Sequence, residues 1–176
     1  SQALRYSPRL ILVDVENKSE NYIKSLGGIY TDISKWETPA FRLNPFDFAI
    51  YNNNIDAFKN WLMRAIFPRG ETVKEYVEFF EVLASKVMEV KEVDQRLSVV
   101  EAIINASNDS SLIEGFKSFL GNPEIFNKYF TTGHDEVGYW DLDNIMCINI
   151  SSMKSAPIHF EAYIGVLMQK LASTLD

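Results

Sequence analysis

The sequence predicts an α/β fold in which a small sheet segment is interrupted by a helical insertion, so that the chain is helix-rich overall. An unbroken apolar run, Leu10-Ile11-Leu12-Val13, ends at Asp14, which is typical of a buried parallel strand. A second apolar run at residues 145–150 leads into another helical pattern. Between the two runs, apolar residues recur with helical periodicity. The order of elements therefore indicates one sheet with helices inserted between its strands.

Composition limits the functions that this chain can have. Its 176 residues are 47% hydrophobic and 13% aromatic, enough for one domain or for one domain with an insertion. The 24 acidic and 17 basic residues give a net charge of −7, and no dense Lys/Arg run occurs, so we expect no direct nucleic-acid binding. The single Cys147 cannot form an internal disulfide, which favours a reducing compartment. No apolar span approaches the ~20 residues of a membrane helix and no signal peptide is recognised, so we expect a cytoplasmic location.

Residues 1–53 are predicted to form an α/β segment. Gly27-Gly28 closes the first helix, and a loop with Pro39 and Pro45 follows the second strand, with a short extended piece at Phe41–Asn44. The predicted elements of this segment are a strand, a helix and a strand, at residues 10–15, 20–26 and 29–33.

Residues 54–130 are predicted to form the helical insertion. Asn54 can cap a first helix, and a third helix covers residues 93–106. Thr72–Glu75 and Ser111–Glu114 have the form of capping boxes, which place the starts of the second and fourth helices. The fourth helix is expected to stop at Gly121, before Pro123.

Three aromatic residues of the second predicted helix, Tyr76, Phe79 and Phe80, cover more than one stripe of its surface. Two readings stay open for them, packing inside the bundle or a face that binds a partner.

Residues 131–176 are predicted to contain a strand at 145–150 and a final helix that Pro157 begins. Four acidic residues precede the strand, but they lack the spacing and the glycine of a calcium loop, which favours a solvated loop: Asp135, Glu136, Asp141 and Asp143. His134 and His159 lie far apart, and with one cysteine they match no zinc or triad spacing. We expect no metal site here.

Asp14 and Glu16 are the candidate catalytic residues. They follow the first strand, and ligands of α/β sheets bind outside the carboxyl ends of the strands. There they could order a magnesium-bound water or the neighbouring loop of a nucleotide site. The alternative is that they cap the helix that follows.

Four segments in this order resemble successive motifs of the type IV secretion and conjugative-transfer ATPases of the VirB and TraC type: Leu10–Glu20, Leu26-Gly27-Gly28-Ile29-Tyr30, Phe41–Phe46 and Phe130–Ser152. The resemblance covers nearly the whole chain. It departs from the family pattern at Asn17-Lys18, where a basic residue and a glycine are common, and at Ile148-Asn149, where phenylalanine and aspartate are common.

The resemblance implies a partial P-loop NTPase (RecA-like) sheet, a slice between the Walker A helix, whose tail would be residues 3–6, and a Walker B strand just after Asp176. The parent protein would bind ATP and Mg, form a homo-oligomeric ring with other type IV secretion subunits as partners, and lie peripherally at the bacterial inner membrane. The slice itself is expected to bind neither cofactor and to be inactive. A non-enzymatic helical module for protein–protein interaction is the alternative.

Overall fold

The computed structural model describes residues 10–33, 42–68, 73–133 and 145–175. It is a helix-rich α/β structure with one parallel sheet, so the predicted class is confirmed at that level. The described residues belong to two compact units. We call residues 10–33 with 145–157 the sheet unit, and residues 42–68, 73–133 and 158–175 the helical unit.

Three parallel strands in the order β1-β3-β2 form the sheet unit, namely β1 (Leu10–Asp14), β2 (Ile29–Asp32) and β3 (Ile145–Asn149). The predicted strands at 10–15, 29–33 and 145–150 are confirmed to within one residue. The central strand β3 is buried from Met146 onward, whereas Leu10–Val13 of β1 remain partly exposed. One short helix, α1 (Glu20–Ser25), connects β1 to β2.

The predicted glycine stop after α1 is confirmed, and its two glycines serve different purposes. Gly27 has a φ of +74°, in the left-handed region that favours glycine. Gly28 donates its N–H to the carbonyl of Ile23 at 3.0 Å. A Cβ on Gly28 would stand 2.6 Å from the carbonyl oxygen of Ile145, so this glycine allows the turn to approach β3 closely.

Six α-helices form the described helical unit: α2 (Ile55–Ile66), α3 (Val77–Met88), α4 (Arg96–Ala106), α5 (Ser110–Ser118), α6 (Pro123–Tyr129) and α7 (Pro157–Leu175), the last entering it at residue 158. Trp61 on α2 donates its indole Nε1–H to the carbonyl oxygen of Ala162 on α7 at 3.1 Å. Among the described helices, none combines the length and apolar character that a membrane span requires.

The capping predictions have mixed outcomes. Asn54 caps α2 as predicted, accepting hydrogen bonds from the N–H groups of the next turn at 3.0 and 3.2 Å. The prediction of Ser111 as a cap is wrong, because α5 begins at Ser110 and its cap is Asp109. Thr72 lies outside the described residues. Val73–Tyr76 form a 3₁₀ turn, so the α-helix behind it begins at Val77, later than predicted.

The helix α6 was not predicted. The sequence predicts that the fourth helix ends at Gly121, before Pro123, and it assigns no separate helix to residues 123–129. Proline is nevertheless well tolerated in the first turn of a helix, where no N–H partner is needed. Asn122 caps α6 by accepting from the N–H groups of Glu124 and Ile125 at 3.1 and 3.3 Å. The short extended piece is seen at Leu43, which forms an isolated parallel bridge with Phe130.

The wide aromatic face of α3 packs largely within the bundle. Phe80 is fully buried. Tyr76 stacks on Phe67 with ring centroids 5.1 Å apart, and Phe79 meets the ring of Phe80 edge-on at 5.7 Å. Tyr76 and Phe80 thus pack within the bundle, whereas the ring contact of Phe79 is with its own neighbour in the chain.

Candidate functional site

The carboxyl edge of the sheet brings three polar residues into one row. In the strand register, Asp14 of β1 pairs with Asn149 of β3, and Asn149 pairs with Asp32 of β2. Ligands of parallel α/β sheets bind outside this edge. The edge and the loop that follows β1 are therefore the candidate site.

Asp14 is held by the backbone of the loop that follows it. The residue is only 4% exposed. Its Oδ1 accepts from the N–H of Glu16 at 2.9 Å, and its Oδ2 accepts from the N–H groups of Lys18 and Ser19 at 2.9 and 2.7 Å. These N–H groups belong to the loop and to Ser19, the residue before α1, so Asp14 orders the turn that leads into the helix and does not cap the N–H groups of its first turn. A catalytic role for Asp14 stays a prediction.

The same hydrogen bonds keep Asp14 ionised. Burial alone would raise the pKa of this carboxyl, but the backbone N–H groups of Ser19, Glu16 and Lys18, together with the Ser19 hydroxyl, outweigh it and hold the pKa below its ordinary value. At neutral pH Asp14 is thus an anion with both oxygens engaged.

Glu16, the second candidate, points into solvent and forms ion pairs. Its carboxylate bonds the ammonium group of Lys154 and lies 3.6 Å from that of Lys18. The hydrogen bond and the charge of Lys154, and then the charge of Lys18, lower the pKa of Glu16. The side chain is half exposed, so the loop presents this carboxylate at the edge of the sheet.

The side chains that tie the loop to the sheet were not predicted from the sequence. Asn17 has a φ of 57°, and its Oδ1 accepts from the hydroxyl of Tyr30 at 2.8 Å and from Nδ2 of Asn149 at 3.0 Å. Asparagine tolerates the left-handed region better than most residues. The only sequence signal for these two residues is that Asn17 and Asn149 are positions at which the sequence departs from the motifs that it resembles.

Two further groups near the edge are protonated at neutral pH. Burial, followed by the charge of Asp14, raises the pKa of Tyr30 to about 12, so its hydroxyl acts as a hydrogen-bond donor. Burial and the charge of Asp14 raise the pKa of Cys147 to about 11. The Cys147 thiol is therefore not an activated nucleophile.

Of the remaining histidine and acidic candidates, the structure describes only His159. His134, Asp135, Glu136, Asp141 and Asp143 lie outside the described residues. His159 belongs to the helical unit, where its ring packs between those of Phe119 and Tyr129, with centroid distances of 4.6 and 5.9 Å. Within the described ranges, no group of three or more His, Cys, Asp or Glu residues is placed to hold a metal ion.

The fold and the site define an α/β protein whose parallel sheet carries a polar, loop-capping cluster at its carboxyl edge. No family model, curated protein or solved structure matches the chain.

Proposed function

We propose that this chain is the part of a type IV secretion or conjugative-transfer ATPase between its Walker A helix and its Walker B strand. One observation carries the proposal. Three parallel strands end in a shared row at Asp14, Asn149 and Asp32, although two of them precede a long helical region and the third follows it. In P-loop proteins, parallel strands end at the edge where the nucleotide binds.

The contacts of the motif residues also support the proposal, because each has a physical role that explains its residue type. Gly28 allows the close approach to β3 described above. Asn44 accepts from the N–H of Phe46 at 2.9 Å and donates to the carbonyl of Gly133 at 2.6 Å. Phe46 is fully buried, and its carbonyl accepts a hydrogen bond from the guanidinium of Arg96. The Asn44-Pro45-Phe46 motif thus joins distant segments of the helical unit.

We propose that this chain alone holds neither ATP nor Mg. Both oxygens of Asp14 already accept backbone hydrogen bonds, and Glu16 is paired with lysines. In this proposal, the phosphates and the metal are held by residues of the parent outside this chain. Asp14 shapes the loop, and Glu16 is the carboxylate that the loop presents.

The parent would hydrolyse ATP as a homo-oligomeric ring at the cytoplasmic face of the bacterial inner membrane, together with other type IV secretion subunits. Its work would be pilus assembly and substrate translocation. The chain alone is proposed to be inactive, because a P-loop ATPase needs its glycine-rich loop and lysine to cradle the phosphates.

The test uses the complete coding sequence that contains this chain. We expect a G-x-x-x-x-G-K-[ST] motif shortly upstream, an apolar strand ending in Asp-Glu shortly downstream, and Mg-dependent ATP hydrolysis by the purified full-length protein. Isothermal titration of the chain alone with Mg-ATP should show no binding. A full-length protein with neither motif and no hydrolysis would support the helical interaction module instead. Micromolar binding of Mg-ATP by the chain alone would contradict the proposal that residues outside this chain hold the nucleotide.

A further inference from the structure

We propose that Asn149 is the positioning residue of the carboxyl edge, whose side-chain amide fixes the loop of residues 15–19 to the segment that follows β3. We also expect this positioning to affect ATP turnover in the full-length protein, and that expectation rests on the proposed function. The positioning itself concerns contacts within this chain and is tested independently.

Asn149 joins two loops through the two ends of one buried amide. It is 1% exposed. Its Nδ2 donates to Oδ1 of Asn17 at 3.0 Å, in the loop after β1, and its Oδ1 accepts from the N–H of Ser151 at 2.9 Å, in the segment after β3. A buried polar side chain satisfied at both ends specifies one geometry, because leaving either end unpaired is costly.

Two other contacts link the same segments. The N–H of Ile150 donates to the carbonyl of Asp14 at 2.9 Å, and Lys154 pairs with Glu16 across the edge. The Lys154 pair is exposed and therefore weak. Ile150 engages Asp14 through the backbone alone. Asn149 is thus the buried side chain that links the body of the loop to the segment after β3.

The amide at position 149 cannot be replaced by a carboxylate of the same shape. In Asn149→Asp, the ionised carboxylate could not donate to Asn17, whose Oδ1 already receives the hydroxyl of Tyr30. The new charge would also stand between Asp14 and Asp32 in the register. Other ionisable groups near this edge are Glu16, Lys18, Tyr30, Cys147 and Lys154. Protonation of the new carboxyl would restore a donor toward Asn17, so the effect of this change should depend on pH.

The first experiment measures amide hydrogen exchange by NMR in the chain itself. In Asn149→Asp at pH 8, we expect the protection factors of the Lys18 and Ser19 amides, which bond to Asp14, to fall at least tenfold, and to recover at pH 5 as the new carboxyl protonates. Burial and the charges of Asp14 and Asp32 disfavour the ionised form of the new carboxyl. Asn60→Asp, an exposed change on α2 that adds the same charge, is the control and should leave both amides protected.

A second variant keeps the test decisive if Asn149→Asp does not fold. Asn17→Gly permits the same left-handed backbone but removes the acceptor, so the two amides should lose protection at both pH values. Wild-type protection in Asn17→Gly, or in Asn149→Asp at pH 8, overturns the proposal. Loss of protection in Asn149→Asp without recovery at pH 5 also contradicts it.

The second experiment uses the full-length ATPase. A positioning role predicts that Asn149→Asp lowers kcat about tenfold at pH 8 while KM for ATP changes less than threefold, with partial recovery of kcat at lower pH. An unchanged kcat would contradict a contribution of the positioned loop to turnover. If the wild-type parent hydrolyses no ATP, the proposed function fails, whereas the exchange measurements still decide the role of Asn149.

Discussion

Gly115 of α5 lies directly against the backbone of Ile66 at the end of α2. A Cβ on Gly115 would stand 2.5 Å from the Ile66 carbonyl oxygen and 2.8 Å from its Cγ2. A backbone oxygen cannot rotate away as a flexible side chain can. The two helices therefore approach each other as closely as they do only because residue 115 is glycine.

Gly115→Ala should destabilise the chain by about 2 kcal/mol, because the helices must separate, and overpacking of this kind costs more than alanine gains in helix propensity. The matched control is Gly165→Ala on α7, where the nearest atom to the new Cβ is Cδ1 of Trp61 at an ordinary 3.7 Å. That change should stabilise by up to ~1 kcal/mol. Urea unfolding of both variants checks this, and two shifts of the same sign would refute the steric argument.

Asp109 should be the residue that starts α5. It accepts from the N–H groups of Ser111 and Leu112 at 2.9 and 3.1 Å and from the hydroxyl of Tyr76 at 2.9 Å. We expect Asp109→Ala to lower Tm by several degrees and Tyr76→Phe to lower it less, since only one of the three bonds is lost. Ser110→Ala, at the exposed first residue of α5, is the control. Equal melting temperatures for Asp109→Ala and Ser110→Ala would place the cap elsewhere.

His159 should make the helical unit sensitive to mild acid. Its Nδ1 is buried and has no hydrogen-bond partner among the described residues. Burial, and then the charge of Lys128, lower the pKa of the imidazole below its ordinary 6.5. The unfolded chain therefore takes up this proton first as the pH falls, so this contribution to stability is complete above about pH 6.5 and is lost as the pH falls through the folded pKa.

His159→Phe should remove part of this pH dependence. We expect wild-type Tm to fall by a few degrees between pH 7.5 and pH 5, and the variant to lose less, because a phenyl ring suits the contacts with Phe119 and Tyr129 and carries no proton. His134→Gln is the control for loss of a histidine. Scanning calorimetry at both pH values measures these changes in Tm. The same fall in Tm for wild type and His159→Phe would argue against the prediction.

Asp14→Asn should destabilise the chain by about 2 kcal/mol at neutral pH. The new Nδ2 would face the N–H groups of Lys18 and Ser19 or that of Glu16, so at least one of three hydrogen bonds to a charged group is lost. Because the folded pKa of Asp14 is depressed, its stabilisation is present above the ordinary carboxyl pKa of about 3.9 and is lost as the pH falls through the folded pKa.

The difference in free energy of unfolding between wild type and Asp14→Asn should therefore stay constant from pH 8 to pH 5 and shrink below about pH 4. The exposed Asp94→Asn serves as control and should change stability little. If Asp14→Asn unfolds with the same free energy as wild type, the hydrogen bond that the variant loses does not contribute to stability. In the full-length ATPase, unaltered turnover by Asp14→Asn would leave Asp14 with a structural role alone.

Several elements could be predicted from sequence because their signals are local. The strands at 10–14, 29–32 and 145–149, the glycine stop at Gly27-Gly28 and the cap at Asn54 each depend on side chains within a few residues of one another. Two choices between neighbouring local signals failed. Ser111 and Asp109 are both good caps, and the hydroxyl of Tyr76 adds a third bond at Asp109 that no pattern within α5 reveals. Pro123 was interpreted as following the end of a helix at Gly121, yet Asn122 and Pro123 begin α6.

The candidate site could be predicted only in part. That Asp14 and Glu16 follow an apolar run typical of a strand is a property of the sequence, and it located the edge. The order β1-β3-β2, which places Asn149 between Asp14 and Asp32, depends on which strands pair. The bond from Asn149 to Asn17 joins residues 132 positions apart, and the bond from Trp61 to Ala162 joins residues 101 positions apart. Such contacts arise from the packing of whole elements, which periodicity and capping signals do not encode. The position of Asn149 beside Asp14 in the sheet and the packing of α7 against α2 were therefore decided by the tertiary structure alone.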